Sequence, residues 1–305
     1  HGQEVEPGSI VEVPLGPRKV LGVVWDEEPG PGLRVGDNRL REIERTFECP
    51  PISAGLRRFV DRLSRYYLMP RGMVLRMVLR APDALEPEAP IRGVRLAGPR
   101  PERMTAARAR VLSVLEDDFA WSRTGLAASA GVSASVVDGL IAQGTLEEVW
   151  LPPGRPPATP DPDHPGKTLA PDQRAAADAL VEILREGRFH VDLLDGVTGS
   201  GKTEVWFEAV AEAARRDRQA LILVPEIALT AEFLDRFADR FGVRPAEWHS
   251  EVPPKTRARV WRGVATGEVR VVVGARSSLF LPFAALGLIV VDEEHDGAYK
   301  QEDGV

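Results

Sequence analysis

The chain has 305 residues, 43% of them hydrophobic and 28% charged, and a formal net charge of −7. That length suits two or three domains, and that balance is ordinary for a globular protein, not a disordered or fibrous one. No apolar run approaches the ~20 residues needed to cross a bilayer, the polar opening with Pro7 and Gly8 reads as no signal peptide, and the single cysteine, Cys49, leaves no internal disulfide framework and no Cys-rich zinc site in these residues. A cytoplasmic setting with no membrane partner is the expectation. Because the chain opens on His1 and closes soon after an acidic motif, a longer parent protein is also expected.

The negative net charge hides an uneven distribution. Residues 39–80 hold ten arginines against four acids, and a local field of that kind steers a polyanion more than the net charge does. The competing reading is a solvated helix face.

In chain order, residues 9–13 and 20–25 read as short strands separated by Pro14, Leu15, Gly16 and Pro17, residues with turn chemistry. Residues 55–67 switch to helical period. Leu56, Phe59, Val60, Leu63 and Tyr67 form the apolar stripe, and Arg57, Arg58, Asp61, Arg62 and Arg65 are left for the other face. Residues 73–79 predict a second helix stopped by Pro82. Together these make a small β-rich α+β domain over 1–104.

Residues 105–150 predict a winged helix. A first helix centres on Val111, Leu112 and Leu115, a second spans 126–130, Gly131 and Val132 turn the chain, Ser133 caps a third helix to about Gln143, and 145–149 form the wing strand. The third helix invites a major-groove role. Residues 133–143, however, contain no Lys or Arg and one acid, Asp138, whereas base edges are read by basic or amide side chains. Packing or protein contact is the favoured role. Residues 151–166 hold seven prolines and predict a stiff, extended linker.

From 167 to 305 helix and strand alternate: a helix at 172–185, a strand at 191–194, a helix to about 216, a strand at 221–224, helices near 230–241 and 255–264, and buried strands at 269–273 and 288–291. This is the rhythm of a parallel sheet with helices on both faces.

Two motifs in that region carry chemistry. Gly196, Val197, Thr198, Gly199, Ser200, Gly201, Lys202 and Thr203 match a P-loop in full. The glycines let backbone N–H groups approach phosphate oxygens, Lys202 brings positive charge to the β- and γ-phosphates, Thr203 offers a hydroxyl to Mg2+, and the following helix adds its positive end. A chance glycine-rich turn is the competing reading. The second motif is Asp292, Glu293, Glu294 and His295 at the end of an apolar strand. Asp292 suits the Mg2+ shell and Glu293 the activation of a water, while the place of His295 in the Asp-Glu-x-His string favours coupling between nucleotide and nucleic acid over a structural hydrogen bond. An acidic strand end is a weak signal alone and a strong one beside a P-loop, since both belong to one site. Gln173 opens the preceding helix, where its amide can read an adenine edge, against the alternative of a solvated helix-start residue. The segments Val224 to Thr230 and Gly274 to Ser278, with Arg276 and Ser277, each follow a buried strand and suit a phosphodiester track. His249 and Ser250 make a third such loop.

Taken together, Asp195 to Thr203, Val224 to Thr230, His249 with Ser250, Gly274 to Ser278, Asp292 to Asp296 and the following Tyr299, Lys300 and Gln301 resemble the PriA family of replication-restart helicases. The combination is far more specific than any one motif. The resemblance implies a RecA-like ATP-binding lobe preceded by a domain that binds the 3′ end of a nascent strand at a fork and by a winged helix. It also implies a second motor lobe carrying an arginine finger, a zinc-binding insertion there, and a C-terminal domain, none of which lies in these residues. Zinc is therefore expected only beyond them. The family's first strand, with its Phe-Asp pair, is missing here. Gly16 matches the glycine of the family's Pro-Phe-Gly turn, written here as Pro14, Leu15 and Gly16, and Arg41 falls where the family often has Lys.

The implied activity is ATP-dependent 3′→5′ unwinding at stalled or repaired forks, leading to primosome assembly. Its partners would be DNA forks, 3′ ends and single strands, with primosome and single-strand-binding proteins by resemblance. The direction and the fork role come from the resemblance alone. A rival is a non-catalytic fork-binding scaffold that uses nucleotide as a conformational ligand. A third reading, a restriction-type translocase, is disfavoured by the Asp-Glu-Glu-His string and Tyr299.

Overall fold

The computed structural model describes residues 5–26, 41–115, 119–152, 154, 156–197, 199–225 and 228–299. The chain divides into two compact units, residues 1–87 with 155–305, and Glu88–Gly154.

The first unit opens with a three-stranded antiparallel sheet, order β2-β1-β3, built from β1 (Ile10–Leu15), β2 (Arg18–Val23) and β3 (Arg45–Thr46). β1 pairs with β2 through a two-residue turn whose first residue, Gly16, has φ +60°. A side chain is strained in that conformation, so glycine is the residue that fits. Helix α1 (Ala54–Tyr66) is capped by Ser53, whose hydroxyl accepts from the Leu56 N–H at 3.3 Å. Helix α2 (Arg71–Val78) follows.

Two expectations for α1 fail. Tyr67 does not join the apolar stripe but is 58% exposed, because the helix ends beneath it. Arg57 does not face solvent but is buried. Its guanidinium donates to the carbonyls of Ile52 and Pro7 and pairs with the Asp26 carboxylate at 2.8 Å, so its charge and hydrogen bonds are used inside the domain.

The second unit has a sheet of order β5-β4-β6, made of β4 (Ile91–Leu96), β5 (Trp121–Ser122) and β6 (Leu146–Leu151). Helices α3 (Ala106–Val114), α4 (Arg123–Ser129) and α5 (Ala134–Ala142) bury Val111, Leu126, Val137 and Leu140 against Val94 and Leu146. Three helices and a small sheet is the expected winged-helix pattern. The expected boundary at 104/105 moves to 87/88, because β4 is the central strand of this sheet and pairs with β6 along its whole length. Ser133 stands at the N-cap of α5, but its hydroxyl bonds Ser135 instead of the backbone. Asp138 pairs with Arg123 of α4, and α5 itself contains no basic residue.

Residues 155–305 return to the first unit with α6 (Pro171–Glu186), α7 (Lys202–Arg215), β7 (Gln219–Leu223), α8 (Ala231–Phe241), β8 (Ala246–Trp248), α9 (Pro254–Thr266), β9 (Val271–Gly274) and β10 (Leu286–Val291). The four strands form an all-parallel sheet of order β10-β7-β9-β8. Alternation along β7 sorts the layers. Ala220 and Ile222 pack with Phe207 of α7 and Phe237 of α8, while Leu221 and Leu223 pack in a cluster with Trp261 of α9. Helices therefore cover both faces, as the apolar strands required.

The same cluster that holds Trp261 contains Ile10, Leu56, Val74, Val78 and Leu85. The Trp261 indole donates to the Val78 carbonyl at 2.9 Å, and Arg262 donates to those of Ala84 and Glu48, each at 2.9 Å. The N-terminal domain and the α/β lobe thus share one core.

Three further expectations change. Residues 191–194 form no strand among the described residues, and Val191 and Leu193 are about four-fifths exposed (81% and 80%); a short run with three apolar residues around Asp192 signals strand only where an edge takes it up. Strand β10 is not buried on both sides: it is an edge strand, with Ile289 and Val291 exposed. The proline-rich segment is partly tied down, not a free spacer. Asp161 N–H bonds Phe241 O, Arg215 pairs with Asp163, and Arg240 donates to the carbonyls of Pro162 and His164. Among the described residues no single helix is long and apolar enough to cross a membrane.

Candidate functional site

The carboxyl ends of the parallel strands lie at one edge of the sheet, the edge where ligands of such folds bind. β10 delivers Asp292 there, β9 leads to Arg276 and Ser277, β7 leads to the segment before Thr230, and β8 leads to His249. Helix α7 ends at Arg215, just before β7 begins at Gln219, and so runs antiparallel to the strands. Its N-terminus, at Lys202, therefore lies at that same edge.

The loop before α7 has the geometry that its glycines predict. Gly199 and Gly201 adopt φ +79° and +80°. A Cβ on Gly201 would lie 2.4 Å from Gln173 Nε2, and one on Gly196 would lie 2.8 Å from Ser200 Oγ. Lys202 turns its ammonium back onto its own loop, donating to Gly196 O at 2.6 Å and Val197 O at 3.3 Å. Val197 itself is exposed, and Thr203, in the first turn of α7, is half-buried. Thr198 lies outside the described residues, as do Glu226, Ile227, Lys300 and Gln301.

Gln173 is brought to this loop. Its Oε1 accepts from the Ala170 N–H at 2.9 Å and its Nε2 donates to Ser200 O at 2.7 Å. The amide braces the glycine loop and keeps one N–H and one lone pair for another partner. Position alone did not foretell the brace.

Asp292 N–H bonds Leu223 O at 3.0 Å, which fixes the strand end. Burial pushes the Asp292 carboxyl above the ordinary aspartate value. The Glu293 N–H that donates to its Oδ1, and the charges of Lys202 and Arg236, oppose this in part, the Glu293 charge adds to it, and the carboxyl stays raised. Glu293 has φ +51°, unusual for a residue with a side chain, and its carboxylate is exposed. His295 Nε2 stands 4.0 Å from Glu293 Oε2.

Tyr299 donates its hydroxyl to Asp292 O at 2.8 Å, and its own carbonyl accepts from Arg276 at 3.2 Å. Burial, reinforced by Asp292, pushes the Tyr299 phenol well up, so it stays protonated as a donor. Glu204, beside Thr203, is held by Arg236 and Lys167. This network joins α8 to the glycine loop, and the sequence reading missed it: an Arg 32 positions away carries no local signal.

The expected nucleic-acid residues divide. Thr230 is the N-cap of α8, with its hydroxyl accepting from the Phe233 N–H at 3.3 Å, and His249 lies 3.3 Å from the Glu247 carboxylate. Arg276 is exposed and Ser277 half-buried. In the first domain, Gly16 has open space around it and Arg41 is exposed. β1 pairs with β3 as Val11 with Thr46 and Glu12 with Arg45.

Comparison with known proteins agrees with this layout. Residues 1–80 match the family model described as a 3′ DNA-binding domain, and residues 170–304 match that of the DEAD/DEAH box helicases. The replication restart protein PriA of Rickettsia felis is 47% identical over 137 residues, covering 45% of this chain and 21% of that protein. The protein of the same name from Bacillus subtilis is 40% identical over 176 residues, 56% of this chain and 22% of its own length. The one from Chlamydia pneumoniae is 34% identical over 255 residues, 79% of this chain and 34% of its own. The chain thus spans a fifth to a third of these relatives. With a 3′ DNA-binding domain at its start and a helicase lobe at its end, it belongs to the PriA family of replication restart proteins.

Proposed function

We propose that this chain is the fork-recognising and ATP-binding part of an ATP-dependent 3′→5′ DNA helicase that restarts replication at stalled or repaired forks. The observation that carries the reading is the convergence of the Lys202 loop and the Asp292–Glu293 turn on one edge of one sheet. ATP fits the loop: a Cβ on Gly196 or Gly201 would collide with Ser200 or Gln173, so glycine alone lets the loop fold this tightly, and Lys202 rests on carbonyls it can exchange for phosphate oxygens. Mg2+ fits Thr203 and Asp292, two oxygen donors that leave room for water ligands. Bound there, the ion would neutralise charge on the β- and γ-phosphates.

Lys202 and the N–H groups opening α7 bind the phosphates. Glu293 orients the attacking water and takes its proton. His295 senses the state of Glu293 and passes it towards the nucleic acid. Thr230, Arg276 and Ser277 hold a phosphodiester track, and Gly16 and Arg41 hold a 3′ end. Helix α5 serves packing or protein contact. Primosome and single-strand-binding proteins are the partners in this reading, the setting is cytoplasmic, and zinc belongs to other parts of the protein. The chain by itself binds nucleotide weakly and unwinds nothing, because charge stabilisation by an arginine finger, worth about 10³–10⁵ in rate where isolated, comes from a second lobe.

Single-turnover ATP hydrolysis by the whole protein, with and without forked DNA, tests this. We expect fork-stimulated turnover in the parent and a loss of about 10²–10⁴ in Glu293→Gln with nucleotide binding kept. Equal rates in the two would remove Glu293 from its role. No turnover in the parent would leave a nucleotide-switched scaffold.

A further inference from the structure

Helix α1 ends in an unusual way. Tyr66 is 78% exposed, Tyr67 58% and Leu68 91%, three large side chains in a row at the surface. Leu68 has φ +51°, a left-handed conformation that disfavours a branched side chain. The turn is nevertheless fixed: the Met69 N–H bonds Ser64 O at 3.0 Å, and the Ser64 hydroxyl donates to Met69 O at 2.6 Å. The two tyrosine rings meet edge to face, 4.9 Å between centroids at 82°, so the edge of one covers a single face of the other and both side chains remain exposed.

The helix surface leading to this step is basic. Arg58, Arg62 and Arg65 are exposed, and among the described residues none has an ion-pair partner. The nearby Asp61 is already occupied by Arg71 and by the Trp25 indole. At 100° per residue, positions 58, 62, 65 and 66 fall within one arc of about 100°, and they extend over about 12 Å of helix axis. Arg65, in the last turn, also complements the helix dipole, but Arg58 and Arg62 do not. The buried Arg57 shows what a structural arginine looks like here, and these three do not resemble it.

We propose that Tyr66 and Tyr67, with Arg58, Arg62 and Arg65, form a stacking track for a single-stranded nucleic acid, separate from the 3′-end residues Gly16 and Arg41. Aromatic faces stack bases of any sequence, and a row of cations follows the backbone; this pairing is what sequence-independent single-strand binding uses. The occupant is single-stranded DNA on the reading that this chain handles forks, on which the inference rests.

The test is fluorescence anisotropy of the 305-residue chain with a labelled oligothymidylate, once with a free 3′ hydroxyl and once with a 3′ phosphate block. Tyr66→Ala with Tyr67→Ala lowers affinity for both oligonucleotides by roughly 5- to 100-fold, whereas the paired Phe substitutions keep it. Neutralising Arg58, Arg62 and Arg65 to Gln flattens the slope of log K against log salt by about 0.7 per lost contact. In the parent, a 2-aminopurine placed in the oligonucleotide is quenched on binding. Unchanged affinity in the Ala pair, or equal loss in the Phe pair, overturns the stacking track. So does self-association of the parent that the Ala pair abolishes while DNA binding persists. If the parent binds neither oligonucleotide, the DNA reading of the first domain falls with it; if the parent binds and the tyrosines do not matter, only the track falls.

Discussion

Residues 1–87 and Glu88–Gly154 are neighbours in sequence and opposites in construction. The first stretch closes its core only with the ATP-binding lobe: Val78 and Leu85 pack in one cluster with Trp261, and Arg262 reaches two of its carbonyls. The second closes on itself, with Val94, Val111, Leu126, Val137 and Leu146 all drawn from its own elements. The part that matches a 3′ DNA-binding domain is thus built into the helicase lobe, while Glu88–Gly154 closes a core of its own. Chain order alone would have suggested three beads on a string.

The sharpest way to break this contrast is a cavity in each core. Trp261→Ala is expected to cost about 3–5 kcal/mol and to lower one transition in which the first domain and the lobe melt together. Leu140→Ala, which empties the winged-helix core, should cost about 2–5 kcal/mol in a separate transition. Denaturant melts followed by amide exchange of residues 54–78 read the difference. If those amides keep their protection when Trp261 is gone, the shared core is cosmetic.

Nucleotide sharpens the contrast from the other side. At a ligand concentration 100 times Kd, binding adds about 2.7 kcal/mol to whatever unit holds the ligand. ATP should therefore raise the melting of the first unit and leave that of the winged helix alone, and Lys202→Ala should erase the shift. A shift confined to the winged helix would contradict the site.

A smaller effect is expected at Arg57. Replacing it with Gln strands the Ile52 carbonyl and the Asp26 carboxylate, for about 1–3 kcal/mol, and should lower the first transition without touching the salt dependence of DNA binding. Loss of DNA binding in a folded Arg57→Gln protein would return that residue to the surface role its sequence suggests. The smallest effect is at Cys49. Burial pushes its thiol up, with Arg262 pulling the other way, so alkylation at neutral pH should be slower than for a free thiol, speed up as pH rises, and accelerate in Trp261→Ala. Equal rates in the two proteins would mean that Cys49 reports nothing about the shared core.

How much of this was legible follows from what kind of signal each residue carries. The glycine loop and Asp292 stood out because the P-loop pattern calls for particular residues at fixed spacing, and Gly199 and Gly201 take the positive φ that such a loop favours. The alternation on β7 was readable because it is period two. Arg57 was not readable, since helical period counts an arginine as an outward residue and cannot see Asp26 folding across from another strand's end. Nor was β4, whose partner strand β6 begins 50 residues beyond its end. The strand expected at 191–194 shows the reverse failure: a local pattern was present, but its pairing depends on an edge elsewhere.

The position of β4 has a practical consequence for anyone dissecting the chain. A piece cut after residue 104 would carry β4 away from both partners, leaving six residues of strand with two unpaired edges, a template for intermolecular pairing. The complementary piece would keep β5 and β6 with the strand between them removed, two edges too far apart to meet. Expression boundaries belong at 87/88 and 154/155, and even there the N-terminal piece should travel with the lobe that completes it.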